Sequence, residues 1–276
     1  MRFAVIGSRG MFGSEMVMFL ASKGLQVQAF TRENIHLDSS IEEITAKLSS
    51  FDVVINSVGY TAVDRAESEP EIANIVNGHF PEKLATVSNR LGARFFQIST
   101  DYVFDGFSTT PFKTNDPRNP QGAYGRSKAL GEKLVESSGA RYTIFRTAWL
   151  YGAQGNCFPK TIIKNAAQGQ AIQVVNDQIG QPTWTRDLAE QVFAFSQLEQ
   201  NVPIVHAVAS GKVSWFDFAK EIVGDYEVEP VSTSDFITAA KRPAFSVLDN
   251  SSELVTPIGH WRDRWQIAKN EIIESI

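Results

Sequence analysis

The sequence predicts an α/β fold built on a doubly wound parallel sheet, with a smaller carboxy-terminal lobe packed against it. Short β-rich runs alternate with segments of helical period along the first 150 residues, which is the pattern of repeated βαβ units. A glycine-rich turn follows the first run, as it does in many sheets of this kind. Because parallel strands require right-handed crossovers, we expect helices on both faces of the sheet.

The first half of the chain carries the clearest periods. Each predicted strand is a short run rich in β-branched and aromatic residues, and each predicted helix places apolar residues three or four positions apart. The strands cover residues 3–6, 26–30, 53–56, 94–99 and 142–146. The helices cover residues 11–23, 41–48, 71–90 and 124–136.

After residue 150 the alternation continues less regularly. We predict helices over residues 158–167, 186–195 and 216–223, a carboxy-terminal helix after residue 260, and strands over residues 172–175 and 205–208. Ser214, with Asp217 three residues later, marks the start of the helix at residue 216. No segment has the composition of a linker, and the proline-rich stretch over residues 111–120 is typical of a loop that lines a site.

The composition is that of an ordinary globular protein and excludes several classes. Of the 276 residues, 43% are hydrophobic and 21% charged, and the formal net charge is −5, which argues against disorder and against a general nucleic-acid binder. The single cysteine, Cys157, excludes an internal disulfide framework. No run approaches the roughly 20 apolar residues that span a bilayer, and the amino terminus lacks a signal-peptide core. We therefore expect a soluble cytoplasmic protein.

Gly7, Gly10 and Gly13 are spaced three residues apart between the first strand and the first helix. Without side chains they allow a tight turn and close approach of the backbone to a pyrophosphate, while the helix amino terminus attracts phosphate. The alternative is a glycine-rich turn that binds no ligand. We interpret residues 1–150 as a Rossmann-like dinucleotide-binding domain. Residues 151–276 then form mainly a substrate-binding lobe, with some segments returning to the first domain.

The end of the second strand indicates which nicotinamide cofactor is bound. An NAD site usually places an acid there for the ribose 2′-hydroxyl, whereas this chain has Arg32, with Arg9 in the glycine turn. Two guanidinium groups suit a 2′-phosphate, so NADPH is favoured and NADH remains possible. The alternative is that Arg32 is a solvated loop cation beside Glu33.

Tyr124 and Lys128 form the strongest catalytic signal in the sequence. Their spacing places both on one face of a helix, where the ammonium group can stabilise the phenolate, lower its pKa and make Tyr124 a better proton donor. Such pairs also occur by chance on helix surfaces. This helix, however, follows a strand that ends near Thr100, at the crevice where open α/β sheets bind ligands. Thr100 can hydrogen-bond the same reacting oxygen.

These motifs together resemble a known family. The glycine turn, the segment STDYVF over residues 99–104 and the Tyr124-x-x-x-Lys128 pair resemble the extended short-chain dehydrogenase/reductases. The segments NSVGYTAVDRAE, RTAWLYG and VNDQIGQPT are similar to dTDP-4-dehydrorhamnose reductases within that group, and the resemblance runs nearly end to end.

The resemblance implies an NADPH-dependent reduction of the C4 ketone of dTDP-4-dehydro-β-L-rhamnose to give dTDP-β-L-rhamnose. Tyr124 would donate the proton and Thr100 would hold the oxygen, while Lys128 would also bond the nicotinamide ribose. The motifs carry over cofactor contacts to Gly10, Met11, Phe12, Asp38, Ser39, Gly59, Tyr60 and Thr61. Asp101 and Trp149 would face the substrate.

Several residues near these motifs allow two interpretations. Trp149 can stack on the sugar or base, or pack in the core, and Arg242 can pair with the diphosphate or remain a surface cation. Asn77 is expected to satisfy nearby backbone groups. The four histidines lack metal-ligand spacing, and although the family is associated with magnesium, no carboxylate cluster in the sequence demands it, so no metal ligand is assigned.

Two other functions remain open from the sequence. The first is an epimerase, or a reductase of another nucleotide-linked 4-keto sugar, because the same three residues and cofactor would serve it. The second is a non-catalytic binding subunit, since the regulatory subunit of methionine adenosyltransferase is similar to this family. The expected partner is a small nucleotide sugar, with no nucleic acid and no membrane, and a homodimer is possible.

Overall fold

The computed structural model describes residues 1–276. Its strands are β1 (Arg2–Ile6), β2 (Gln26–Phe30), β3 (Val53–Asn56), β4 (Arg94–Thr100), β5 (Arg141–Thr147), β6 (Leu150–Tyr151), β7 (Ile172–Val175), β8 (Ile179–Gly180), β9 (Thr183–Trp184), β10 (Ile204–His206), β11 (Val213–Ser214) and β12 (Val228–Val231). Its helices are α1 (Met11–Ser22), α2 (Ile41–Leu48), α3 (Val63–Ser68), α4 (Pro70–Asn74), α5 (Phe80–Leu91), α6 (Ala123–Ser137), α7 (Phe158–Ala167), α8 (Thr185–Ser196), α9 (Trp215–Val223) and α10 (Trp261–Glu274).

Six parallel strands form the central sheet in the order β10-β5-β4-β3-β1-β2. Successive side chains of β1 point to opposite faces, so that Phe3 and Val5 pack with α1 and α8, whereas Ala4 and Ile6 pack with α2 and α5. The chain leaves β1 for β2 at one edge and then crosses back to β3, which creates a switch point between β1 and β3. The predicted doubly wound parallel sheet is confirmed.

The second half of the chain contributes both to this sheet and to a separate aromatic core. β10 pairs with β5 at the edge of the sheet. The aromatic core joins α9 and α10 around Tyr151, Phe218, Trp261 and Trp265, whose contacting ring centroids lie 5.7 to 5.9 Å apart. No helix in the structure is long and apolar enough to cross a bilayer.

The predicted helix over residues 71–90 is confirmed in extent, but a π-helical turn (Ile75–His79) lies within it, between α4 and α5. Pro81 lacks an amide hydrogen, so the carbonyl of Asn77 four residues earlier has no α-helical donor and the turn widens. The backbone of α6 closely approaches this turn, since a Cβ atom at Gly131 would lie 2.0 Å from the carbonyl oxygen of Asn77.

The other predicted elements agree with the structure to within one or two residues at each end, and the predicted cap at Ser214 accepts the amide of Asp217 at 2.9 Å. The sequence analysis missed α3 and the short strands β6, β8, β9, β11 and β12. Most of these strands have two residues and pair only with one another or with β7, so they carry no period that a sequence pattern could show.

Candidate active site

The glycine turn lies at the carboxyl end of β1 and borders a cavity of about 460 Å³. Gly7 has φ +83°, and a Cβ atom at Gly13 would lie 2.3 Å from the carbonyl oxygen of Gly7, so only glycine permits this close packing of α1 on β1. Of the predicted cofactor residues, the cavity lining includes Gly7, Arg9, Gly10, Arg32 and Gly59. This arrangement fits a dinucleotide, because it leaves the backbone at the start of α1 uncovered by side chains.

The two arginines of this cavity differ in their partners. Arg9 forms a bidentate ion pair with Glu33, at 2.7 and 3.0 Å, and this hydrogen-bonded charge holds the pKa of Glu33 below its usual value. Arg32 is exposed, lines the cavity and makes no ion pair. Arg32 is therefore the more available cation for a 2′-phosphate, and Arg9 would have to share its guanidinium with Glu33.

The remaining cofactor residues carried over from the family are not among those that line the cavity. Phe12 is buried in the core, so only its backbone can contact a ligand. Ser39 is buried and its hydroxyl accepts the amide of His36 at 3.0 Å, whereas Asp38 is exposed. Met11 is half-buried and packs toward the aromatic core, and Thr61 is exposed. These assignments stay predictions.

Asn77 fixes the loop that follows β3. Its side chain accepts the amide of Tyr60 at 2.9 Å and donates to the carbonyl of the same residue at 3.1 Å. It also donates to the hydroxyl of Ser127 on α6, at 2.9 Å. The expectation that Asn77 satisfies backbone near the site agrees with these contacts. Ser127, which the sequence analysis missed, ties this loop to the catalytic helix.

Thr100, Tyr124 and Lys128 meet where β4 ends and α6 begins. The Tyr124 phenol lies beside Thr100, which opposes the rise in the pKa of Tyr124, and the Lys128 ammonium group donates to the carbonyl of Ile98 at 2.6 Å. Thr100 in turn donates to the carboxylate of Asp101 at 2.8 Å. Tyr124 and Lys128, four positions apart on α6, thus both lie against the last residues of β4, as their spacing predicted.

Burial governs the ionisation of Tyr124 and Lys128. It raises the pKa of Tyr124 to about 12 and lowers the pKa of Lys128 to about 8, against the opposing charge of Glu132. The sequence-based expectation that Lys128 lowers the pKa of this phenol is not met in this structure, because loss of hydration is the larger effect. At neutral pH the phenol therefore keeps its proton and Lys128 remains mostly charged.

The residues predicted to face the substrate lie beside this pair. Asp101 is 3% exposed, and its Oδ2 atom has no hydrogen-bond partner. Its burial raises its pKa to about 6, although the hydrogen bond from Thr100 opposes the shift. An unpaired buried carboxylate oxygen next to Tyr124 is a position where a ligand hydroxyl can donate.

Arg242 is not a free surface cation. Its guanidinium donates to Asp64 on α3 at 2.6 Å, and the same carboxylate accepts the amide of Ala240 at 3.0 Å. This pair joins the carboxy-terminal part of the chain to the loop-helix segment after β3. For Arg242 to bind a diphosphate, Asp64 would have to share it.

Trp149 packs against a neighbouring indole, and its contact with a ligand stays a prediction. Its indole stacks on Trp215, with ring centroids 3.5 Å apart and planes 7° from parallel, and a Cβ atom at Gly180 would lie 2.4 Å from its ring. It is nevertheless half-exposed, and it is the one non-glycine residue with positive φ, at +45°. Backbone strain of this kind concentrates at functional sites.

The structure brings together no group of three or more His, Cys, Asp or Glu side chains that could hold a metal ion. Three of the histidines are exposed, and the fourth, His206, hydrogen-bonds the carbonyl of Asp249 at 3.0 Å. No metal ligand is assigned, and we derive no step through magnesium.

A glycine cradle at a switch point, with a threonine, tyrosine and lysine at the adjacent strand end, defines a nicotinamide-dependent dehydrogenase or reductase. Comparison with known proteins narrows this class. The chain matches the family described as RmlD substrate binding domain over residues 1–276 and belongs to that family.

Individual relatives agree with the family match. The chain is 38% identical to a dTDP-4-dehydrorhamnose reductase of Streptomyces griseus, over 95% of this chain and 90% of that one. It is 37% identical to a probable dTDP-4,6-dihydroxy-2-methyloxan-3-one 4-ketoreductase of Streptomyces antibioticus, over 100% and 96%. A crystal structure of dTDP-4-dehydrorhamnose reductase from Bacillus anthracis in complex with NADP is 30% identical, covers 98% of this chain and 99% of that one, and has a TM-score of 0.93. The resemblance seen in the motifs is confirmed.

Proposed function

We propose that this protein reduces the C4 ketone of dTDP-4-dehydro-β-L-rhamnose to the alcohol of dTDP-β-L-rhamnose, with NADPH as reductant. The observation that carries the proposal is the meeting of Thr100, Tyr124 and Lys128 beside a glycine-bordered cavity, in a chain that matches its family from end to end. One hydride and one proton are added to the carbonyl, and NADP⁺ leaves.

The chain's own residues supply position and charge. Bound NADPH would provide the hydride, and the backbone around Gly7 and Gly10 would hold its pyrophosphate. Thr100 would hydrogen-bond the sugar O4 as negative charge grows there, and Tyr124 would donate its proton to that oxygen. Lys128 would then stabilise the phenolate, an effect that gains weight once a ligand excludes water from the crevice.

The preference for NADPH rests on Arg32, with Arg9 as its neighbour. Both arginines line the cavity, and Arg32 closely follows β2, after which NAD enzymes usually present an acid. We expect kcat/KM for NADPH to exceed that for NADH, and Arg32→Ala to lower the ratio of the two. Equal efficiencies in the wild type, or an unchanged ratio in the variant, would remove this assignment.

A second candidate function is the reduction of a different dTDP-linked 4-keto sugar. It is favoured by the 37% identity to the probable 4-ketoreductase of Streptomyces antibioticus, whose name gives a substrate that differs from the rhamnose precursor at the sugar. The catalytic residues would serve both reactions. Asp101, Trp149 and Arg242 would have to discriminate between the sugars.

The test is turnover of purified protein with NADPH and a panel of dTDP-4-keto sugars, followed by NADPH absorbance and by identification of the product. We expect oxidation of NADPH with dTDP-4-dehydro-β-L-rhamnose and formation of dTDP-β-L-rhamnose. Turnover restricted to another 4-keto sugar would favour the second candidate. Isomerisation without net NADPH oxidation would indicate an epimerase, and a stoichiometric partner without turnover would indicate a regulatory subunit.

The cytoplasmic location and a homodimeric state belong to the same proposal. The location rests on the expectation drawn from the sequence, whereas the sequence leaves the choice between monomer and homodimer open. Light scattering of the purified protein would give its mass in solution, and cell fractionation would give its compartment.

A further inference from the structure

Residues at the end of β4 lie against three residues of α6 that are spaced four apart. Tyr124 lies beside Thr100, the carbonyl of Ile98 accepts the Lys128 ammonium group at 2.6 Å, and Ser99 donates to Glu132 at 2.5 Å. Because helix positions four apart share one face, a single face of α6 is fixed to the end of β4 by two hydrogen bonds, from Lys128 and to Glu132. Glu132 lies one turn beyond Lys128.

Glu132 is also the centre of a buried charge network. Its carboxylate accepts Arg146 at 2.8 and 3.0 Å and Arg118 at 2.7 Å, in addition to Ser99. Glu132 and Arg146 are each 1% exposed. Arg146 belongs to β5, and Ser99 is its direct neighbour in the sheet register. One side chain of α6 is thereby tied to both β4 and β5.

The network extends to the loop and to the sheet edge. Arg118 lies in the proline-rich loop, and Arg146 donates to the carbonyl of Thr114 in the same loop at 3.1 Å. Arg146 also lies 3.5 Å from His206 on β10. Every hydrogen-bonding site of the Glu132 carboxylate is therefore used by the scaffold, and none faces the crevice.

Resting on the function proposed above, we propose that Glu132 is a positioning residue for the reaction, one that holds the face of α6 against β4 so that Tyr124 and Lys128 meet Thr100 at the substrate ketone. It touches neither substrate nor cofactor. Its effect passes through the contact with Ser99, next to Thr100, and through its own charge one helical turn from Lys128. A small rotation of α6 would displace the phenol and the ammonium group together.

The charge of Glu132 gives this role a signature that simple structural support lacks. Burial lowers the pKa of Lys128, and Glu132 is the group that opposes this shift. The other charged or titratable groups in the region are Asp101 after β4, Tyr124 on α6, Arg146 on β5, Arg118 in the loop and His206 on β10. Neutralising Glu132 therefore lowers the pKa of Lys128 further, so the activity should decline at a lower pH.

The experiment compares Glu132→Gln with wild type in steady-state kinetics across pH. We expect kcat to fall by about ten- to a hundredfold, since misplacement by about 1 Å can cost 10²-fold, with KM for both substrates little changed. The alkaline limb of the pH profile should move to lower pH. Glu136→Gln is the matched control on the same helix, because Glu136 shares Arg118 but is 29% exposed, and it should retain wild-type kcat and pH profile.

Ser99→Ala tests the proposal without breaking the ion pairs, which matters if Glu132→Gln does not fold. It removes the hydroxyl that joins β4 to Glu132 and should lower kcat several-fold, with melting close to wild type. A folded Glu132→Gln with wild-type kcat and an unmoved alkaline limb overturns the proposal, as does a wild-type kcat in Ser99→Ala. Wild-type protein that turns over no 4-keto sugar would instead refute the proposed function.

Discussion

Two buried carboxylates near the end of β4, those of Glu132 and Asp101, have contrasting surroundings. Burial opposes the ionisation of Glu132, yet hydrogen bonds and charge from Arg146 outweigh it and hold its pKa below the usual value. Asp101 has no cationic partner, and burial raises its pKa to about 6. The difference shows that at equal burial the partners decide the charge state. The Glu132 side is complete within the chain, whereas the Asp101 side keeps an unpaired oxygen beside Tyr124.

The largest expected effect lies on the Asp101 side. Tyr124→Phe removes the proton donor, and kcat should fall by about 10²- to 10⁴-fold with the folded state intact. Steady-state turnover with NADPH measures it. Tyr142→Phe is the control, because Tyr142 lies on β5 at the opposite end from the site and should keep wild-type turnover. A Tyr124→Phe enzyme at full rate would contradict the assignment of the donor.

On the Glu132 side the expected effect is on stability. Glu132→Ala leaves Arg146 buried without its partner, which should lower the free energy of unfolding by about 3–5 kcal/mol. Urea denaturation followed by circular dichroism measures the loss. Glu136, which is only half-buried, provides the comparison. Glu136→Ala should lower the free energy of unfolding by no more than about 1 kcal/mol. Similar losses in the two variants would erase the proposed distinction between a buried network and a surface pair.

Removing the charge of Asp101 should stabilise the protein, whereas removing that of Glu132 should destabilise it. Its pKa is raised in the folded state from the ordinary 3.8 to about 6, so the native state binds the proton more tightly and is destabilised as pH rises from about 4 to about 6. Ionisation at neutral pH then costs up to about 3 kcal/mol. Asp101→Asn should raise the free energy of unfolding at pH 7 by about 1–3 kcal/mol, and the gain should vanish below pH 4. A gain independent of pH would refute this account.

The smallest effect is expected where the two halves of the chain meet at the Asp64–Arg242 pair. Asp64 is 45% exposed, so Asp64→Asn should change the free energy of unfolding by only about 0–1 kcal/mol. The same variant frees Arg242, and dTDP should bind at least as tightly as it does to wild type. Arg242→Gln should bind dTDP more weakly. Calorimetry that shows the reverse order would remove Arg242 from the substrate site.

Local patterns in the sequence located the glycine turn beside its cavity and the contact of α6 with the end of β4. The glycine turn and the pair Tyr124 and Lys128 depend on residues close together in the chain, and their spacing alone constrains the backbone. The sheet was predictable for the same reason, since each of its strands is a short apolar run in a regular alternation. The observed ends of these elements differ from the predicted ends by only one or two residues.

The remainder depends on partners that are distant in sequence. Nothing near Asp64 indicates that Arg242, 178 positions later, will bind it, and nothing near Glu132 identifies Arg146 or Arg118 as its partners. The pKa of Tyr124 was expected to move down and is raised, because the sequence shows the neighbouring lysine but not the depth of burial. Pro81 could have signalled the π-helical turn within the predicted long helix.

The contact between Gly131 and the widened turn at Asn77 has a consequence for engineering the protein. Replacing a glycine inside a helix by alanine commonly adds about 0.5–1 kcal/mol of stability, and a consensus-based redesign of α6 would choose that exchange first. Here the added methyl group would lie 2.0 Å from the carbonyl oxygen of Asn77. It would push α6 away from the π-helical turn, one turn beyond Lys128. Heat resistance in this protein has to be sought at other positions.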